Sequence, residues 1–287
     1  MHLLKSKESI GIIFGIFAFF SFSILDAIQK TLILYNSVFQ LLLVKYFFVL
    51  FLALFESKRK NNHLFYKSKN IKLQIFRSLL SVIESGCFVL SFKYLSLANA
   101  HSVGSLAPVI VVALSAIILK EKVTPKTWIA IFIGFIGVLI ILRPTSSIFD
   151  PKALLPLITA FVLGFYQIIT KKVSKYDKNE TSLFYTSIIG IITMSLLASN
   201  FWLPIDKSSY LMFLGIGIFF SLGLYFQIIA LSKARASIIQ PFHYTLIFWA
   251  IIFGYIFYND IPDMFTVIGA VIITCSGIFV LNQTSKN

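Results

Sequence analysis

The sequence predicts an all-α polytopic membrane protein: ten transmembrane helices arranged as a 5+5 inverted repeat, with both termini cytoplasmic. Three observations predict it. The 287-residue chain is 58% hydrophobic and 13% charged, with a mean hydropathy of +0.89; a soluble domain carries about twice that charged fraction. Apolar runs of about 18 or more residues recur from end to end, more than a soluble core absorbs. A pattern running from Phe92 to Arg143 also returns, faintly, from Gln227 to Leu281. Each copy opens on small residues in a short connection (Ala98-Asn99-Ala100, Ala234-Arg235-Ala236). An apolar segment then ends at an acidic residue (Glu121, Asp260), and a proline follows closely (Pro125, Pro262). The copies close on segments with small residues about two turns apart: Ala130 and Gly137, then Gly269 and Ser276-Gly277. Two weakly similar halves in a chain of this hydropathy are a transporter signature.

The first span is the apolar stretch Ser9–Ile28, behind a polar start with Lys5 and Lys7. It is too long for a signal peptide and lacks a small-x-small cleavage site, so it reads as an uncleaved helix. Gly11 and Gly15 give it a face for close helix contact. The remaining spans fall near 36–56, 75–95, 101–120, 126–143, 153–171, 182–200, 210–232, 237–258 and 264–281. Long unbroken runs exclude an outer-membrane barrel, whose strands alternate. Cys87 and Cys275 both sit in apolar segments and read as free core thiols, with no disulfide framework.

The net charge of +14 would suggest nucleic acid in a soluble protein. Here it marks topology, and no nucleic-acid partner is expected. Basic residues crowd Lys5–Lys7, Lys58–Lys72, Lys120–Lys126, Lys171–Lys178, Lys233–Arg235 and Lys286. Only Lys30, Lys93, Arg143, Lys152 and Lys207 fall on the other side. That bias puts both termini inside. Five spans per half is an odd number, so residues 145–287 enter the membrane from the opposite side to residues 1–144. Accordingly, the connection with Glu121 is basic, while its counterpart Asn259-Asp260-Ile261-Pro262-Asp263 has no Lys or Arg. The lysine-rich, Ile- and Phe-rich composition fits an AT-rich bacterial genome, and the expected location is the bacterial inner membrane.

Ionisable groups inside spans are costly and usually face a bundle interior with a partner or a task. Lys45 lies about 14 Å into the second span, at 1.5 Å per residue, too deep for easy snorkelling. Glu84 lies at similar depth in the third, so a Lys45–Glu84 pair is expected, structural or substrate-facing, with Glu84 alternatively a protonation site. Asp26 and Lys30, four apart, read as a local ion pair or a coupling site. Arg77 shares a face with Glu84 but lies near the inner surface, so snorkelling or lipid phosphate is its expected role. In the second half, Tyr166, Gln167, Gln227, Gln240, His243, Tyr244 and Trp249 are candidate substrate contacts. Gln240, His243 and Tyr244 are spaced for one helical face, and Pro241 would break that helix locally. Aromatic walls with a few amides suit a planar or zwitterionic metabolite. Ala100, Gly104, Pro108, Gly137 and Gly254 would let moving spans pack closely and bend.

A set of features carries a family resemblance. They are Ala98-Asn99-Ala100, Pro108 ahead of Glu121, Trp128 through Gly134-Phe135-Ile136-Gly137 to Arg143-Pro144, Gln240-Pro241-Phe242-His243-Tyr244-Thr245, Trp249, Gly254, Asn259–Asp263 and Gly269-Ala270. On these, essentially the whole chain resembles the drug/metabolite transporter superfamily, EamA-like type, which implies the ten-helix inverted-repeat fold. Asp26-Ala27-Ile28-Gln29-Lys30, Arg77, Ile168–Lys172 and Phe184-Tyr185 make it similar in pattern to S-adenosylmethionine uptake transporters. It departs from them at Lys45, where that pattern has arginine, and at Gln167, where it has an acidic residue. The resemblance implies a secondary transporter of a small polar or zwitterionic metabolite, an amino acid or S-adenosylmethionine-like, working by alternating access in the lipid bilayer. A coupling proton or exchange metabolite and a homodimer are compatible partners, and no cofactor is implied.

Two other readings stand beside this one: an exporter of amino acids or drugs on the same fold, and a membrane enzyme or lipid-handling protein using the basic inner face. Against an enzyme, the sequence holds no zinc-binding His-Glu-x-x-His, no Gly-x-Ser-x-Gly elbow and no phosphate-binding Gly-x-x-x-x-Gly-Lys loop. His63 and His101 have no partners at motif spacing.

Overall fold

The computed structural model describes residues 7–95, 97–104, 106–142 and 154–258, and between 264 and 279 residues 264–265, 267–269, 271–272, 275–276 and 279. Among the described residues the chain is helical throughout and holds no strand. Its helices are α1 (Lys7–Leu32), α2 (Val38–Arg59), α3 (Ile71–Ser91), α4 (Leu97–Gly104), α5 (Ala107–Ile118), α6 (Pro125–Leu142), α7 (Leu154–Val173), α8 (Asn179–Ala198), α9 (Tyr210–Lys233), α10 (Ala236–Ile239) and α11 (Thr245–Tyr258). The described residues from 264 on are helical too. Among the described residues, six helical segments are long and apolar enough to cross a membrane: α1, α2, α3, α7, α8 and Lys207–Lys233. The expected connection 259–263, the junction at 143–144 and the boundary between the two halves lie outside the described residues.

Helix starts follow local chemistry. Ser37 caps α2: its Oγ accepts from the Phe39 amide at 3.3 Å, while Gln40 Oε1 accepts from the Ser37 amide at 3.0 Å. Asn70 caps α3 through the Leu73 amide at 3.0 Å. Two expected spans are not continuous. The fourth divides into α4 and α5, with Pro108 in the first turn of α5, where a residue without an N–H begins a helix well and continues one badly. The ninth divides at the Gln240–Tyr244 3₁₀ turn that holds Pro241.

Helices pair across the two halves of the sequence rather than within them. The main neighbours are α1 with α9, α2 with α8 and α3 with α7. In-sequence order within each half, that is first with third, second with second and third with first. Close approach is built in: a Cβ at Gly190 of α8 would run into the Tyr46 ring of α2, and one at Gly11 of α1 into Ala234 beyond the end of α9.

One end of the bundle gathers every connection that the sequence reading placed inside, and ties them together. Arg235 Nε donates to Glu8 Oε1 at 2.8 Å. Glu121 accepts from the amides of Ala236 (3.1 Å) and Ser237 (3.2 Å) and from Ser237 Oγ (2.8 Å). Lys171 Nζ donates to the Ala234 carbonyl at 2.6 Å. The α2–α3 connection is held by Glu180, which accepts from Lys60 Nζ (3.1 Å) and Asn62 Nδ2 (3.0 Å), and by Asp177, which accepts from Ser68 Oγ and the Lys69 amide. At the opposite end Gln40 Nε2 donates to the Leu203 carbonyl at 2.6 Å.

Candidate functional site

A cavity of about 100 Å³ lies inside the bundle, room for several waters. It takes side chains from α1, α2, α3, α4, α7, α9, the 3₁₀ turn and α11. Its walls are largely aromatic and aliphatic, among them Phe19, Phe88, Phe220 and Leu224, with a polar group on one flank.

That polar group is centred on Lys45, which is fully buried. Its Nζ donates to Gln29 Oε1 at 2.6 Å and Ser85 Oγ at 3.0 Å, and lies 4.6 Å from the Phe220 ring centroid. Gln29 turns its Nε2 to Asp26 Oδ1, 3.1 Å away on the preceding turn of α1. His101 of α4 brings Nε2 to 3.5 Å from Asp26 Oδ2, and its ring sits edge-on to Phe88. Glu84, half-buried on α3, lies within electrostatic reach of Lys45 and Asp26.

The expected residues divide in two. Asp26, Lys45, Glu84, Tyr166, Gln227, His243 and Tyr244 line the cavity. The expected Lys45–Glu84 ion pair is not formed: Lys45 spends its bonds on Gln29 and Ser85. Arg77 does not snorkel. It is fully buried, because α8 crosses it. Its guanidinium donates to the Ser182 carbonyl and Thr186 Oγ1 at 2.6 Å each, to Gln74 Oε1 at 3.1 Å and to Tyr166 OH at 3.4 Å.

Gln167 and Gln240 are joined to each other below the cavity (Gln240 Nε2 to Gln167 Oε1, 2.7 Å) rather than lining it. Gln240, His243 and Tyr244 therefore do not act as one face. Tyr244 OH reaches the Ile131 carbonyl at 3.3 Å, and His243 packs edge-on against Phe19. The tighter winding of the 3₁₀ turn separates side chains that an α-helix would align. Trp249 also stands away from the cavity, edge-on to Phe20 with centroids 4.8 Å apart. Lys30 is half-buried one turn beyond Asp26, outside the lining.

Gln29, Ser85 and His101 were missed. A signal for Gln29 existed, an amide three residues from Asp26 and so on its face. His101 had none, since its partner lies on another helix. Among the described residues no three His, Cys, Asp or Glu side chains come together to hold a metal ion.

The cavity sits above the tied basic end. The Gln167–Gln240 and Glu121–Ser237 contacts lie on that side of it. Such a site can take a small molecule carrying both charge and apolar surface.

Comparison with known proteins fits this arrangement. The EamA-like transporter family matches the chain twice, at residues 9–143 and 151–282. The S-adenosylmethionine uptake transporter of Rickettsia conorii is 27% identical over 214 residues, covering 75% of this chain and 73% of that one. An uncharacterized transporter of Helicobacter pylori is 30% identical over 224 residues, covering 75% of each. The riboflavin transporter of Vibrio cholerae is 31% identical over 173 residues, 60% of this chain and 58% of that one. A crystal structure at 14% identity superposes with a TM-score of 0.78 over 97% of this chain and 98% of its own, a likeness of fold alone. The chain belongs to the EamA-like transporter family.

Proposed function

We propose that this EamA-like transporter is a secondary transporter of the bacterial inner membrane. It moves a small polar or zwitterionic metabolite, an amino acid or a molecule like S-adenosylmethionine, by alternating access. The proposed frame is ten spans in two inverted halves, 1–144 and 145–287, with both termini cytoplasmic. The double family match and the reciprocal packing of α1–α3 on α9–α7 support it, as does the gathering of the basic connections at one end.

The observation that carries the reading is the cavity itself: Lys45, fully buried near mid-span, faces it and is held there by Gln29 and Ser85. A buried ammonium in lipid usually has a partner or a task, and here its direct hydrogen-bond partners are the neutral Gln29 and Ser85, with no carboxylate of the described residues in ion-pair contact. The proposed substrate contacts are Asp26, Lys45, Glu84, Tyr166, Gln227, His243 and Tyr244. The hydrogen bonds and ion pairs that tie the basic end support a reading in which that end closes in one of the two states alternating access requires.

Proteoliposomes preloaded with unlabelled S-adenosylmethionine test the reading. Labelled S-adenosylmethionine outside is expected to accumulate by saturable exchange, and Lys45→Met to abolish it. Exchange that survives Lys45→Met with unchanged affinity overturns the site. One observation favours a second substrate: the aromatic walls at Phe19, Phe88 and Phe220 also suit a flat ring system such as the riboflavin named for the Vibrio relative. Running riboflavin in the same vesicles decides between the two.

A further inference from the structure

The basic residues at the tied end differ in what holds them. Arg59, Lys60, Lys171 and Arg235 are engaged within the protein: Arg59 Nη2 donates to Glu56 Oε2 at 2.7 Å, and the others hold Glu180, the Ala234 carbonyl and Glu8. Lys58, Lys67, Lys69 and Lys72 are exposed, and their ammonium groups have no acceptor among the described residues. All four belong to one stretch: the end of α2, the connection after it and the start of α3.

Two stripes of side chains fix the depth of this stretch. On α2 the exposed Phe47, Phe51, Leu54 and Phe55 run along one face, and Lys58 ends it. On α3 Lys72 opens a face that continues through the exposed Phe76, Leu79 and Ile83. Each lysine stands at helical spacing from these large apolar side chains. Both helices are long and apolar enough to cross a membrane, so exposed apolar faces of this kind meet acyl chains. The lysine at the end of each face then lies at headgroup level, within reach of a long basic side chain. Between the two helices, Leu64 and Tyr66 are exposed beside Lys67 and Lys69, a mix of apolar, aromatic and basic groups suited to the membrane interface.

The connection is held in place. Phe65 packs edge-on against Phe184 with centroids 5.1 Å apart, and Tyr185 OH donates to the Tyr66 carbonyl at 2.9 Å. Asp177 accepts from Ser68 Oγ and, at 2.9 Å, from the Lys69 amide. The lysines are therefore presented from an ordered backbone, which lowers the ordering cost of binding. We propose that Lys58, Lys67, Lys69 and Lys72 form a binding site for the headgroup of an anionic phospholipid. Their ammonium groups take its phosphate oxygens, and Leu64 and Tyr66 lie against the first carbons of its acyl chains. Asp177 and Glu180 lie just before and on α8, so bound lipid also steadies the α2–α3 connection against that helix. The inference uses neither the cavity nor the direction of transport.

Native mass spectrometry of the full chain in detergent tests this, with phosphatidylglycerol and phosphatidylcholine of the same acyl chains as probes. Phosphatidylglycerol is expected to bind about tenfold or more tightly. Lys58→Gln, Lys67→Gln, Lys69→Gln and Lys72→Gln together should bring that ratio within about threefold. The same exchange at Lys120, Lys122, Lys172 and Lys175, exposed at the same end, should retain it. Replacing the four proposed lysines by arginine, which keeps the charge and controls for folding, should retain it too. If the fourfold glutamine variant does not fold, Lys67→Gln with Lys69→Gln, on the connection alone, should still lower the ratio by about threefold or more. Inorganic phosphate should not displace the lipid. Equal binding of the two lipids, a ratio that survives the glutamine variants, an equal loss in the control variant, or displacement by inorganic phosphate overturns the proposal.

Discussion

Arg77 and Glu84 lie two turns apart on one face of α3, and both are ionisable groups within a membrane span. Their surroundings differ completely. Arg77 is fully buried and spreads its guanidinium over four oxygen atoms on α3, α7 and α8. Glu84 faces the cavity and meets no hydrogen-bond donor among the described residues. The difference teaches that burial alone does not identify a working charge. A charge whose hydrogen-bonding capacity is used up by the protein is a strut. One whose capacity is left open is available to a ligand.

The largest expected effect tests the strut. Arg77→Ala leaves a void and several buried acceptors short of a donor, at a cost of about 3 kcal/mol or more. It should show as a lower melting temperature and a poor yield of folded protein in detergent. Arg77→Lys should rescue little, because one ammonium does not reproduce the planar fork that spans Ser182, Thr186 and Tyr166. An Arg77→Ala protein that melts like the parent but loses substrate would reverse the comparison.

Next comes Gly190→Ala on the α2–α8 seam. The added methyl meets the Tyr46 ring, and overpacking of this kind costs about 1–3 kcal/mol. The same melting assay reads it, and Gly190→Ser should do no better. At the basic end, Glu121→Ala removes three hydrogen bonds from Ala236 and Ser237, an expected loss of about 1–3 kcal/mol from the closed arrangement. In a background without Cys87 and Cys275, a Gln167→Cys reporter should then react faster with a thiol reagent supplied from the basic side. Unchanged reactivity would mean that Glu121 is not part of the closure.

Glu84→Gln is expected to do the opposite of Arg77→Ala: stability within about 0.5 kcal/mol of the parent, with substrate binding or proton-gradient dependence altered. The smallest effect is expected at Trp249→Phe. Its Nε1 is buried without a hydrogen-bond partner and its ring is outside the cavity, so stability should move by no more than about 0.5 kcal/mol and affinity should not move.

Much of the scaffold was legible in the sequence because lipid imposes it: apolar length sets the spans, and basic connections set which ends gather together. The break at Pro241 was legible for the same reason as the spans, a local rule about a missing N–H. At Pro108 the residue was noted for bending, but the full division into α4 and α5 was not. The site was harder to read. Lys45 and Glu84 announce themselves through depth alone, and both line the cavity. Whether they touch depends on how α2 and α3 rotate about their axes, which no single helix encodes. His101 meets Asp26 only after α4 folds against α1, so spacing along the chain gives no hint of it. Gln167, Gln240 and Trp249 have the right chemistry on helices that line the cavity, but they point to neighbours instead.

The ties across the basic end have a kinetic consequence. Several are ion pairs at least partly open to solvent: the Arg235 and Glu8 side chains are 39% and 33% exposed, and Lys60 is 37% exposed beside Glu180. Dissolved ions weaken such pairs. On the proposed alternating-access cycle, rising ionic strength on that side should therefore shorten the dwell time of a state closed at that end while leaving the buried contacts around Arg77 untouched. If reopening of this end limits the cycle, turnover rises with salt on one face of the membrane and not on the other. The protein would then respond to the ionic strength of one compartment through the lifetime of a single conformation.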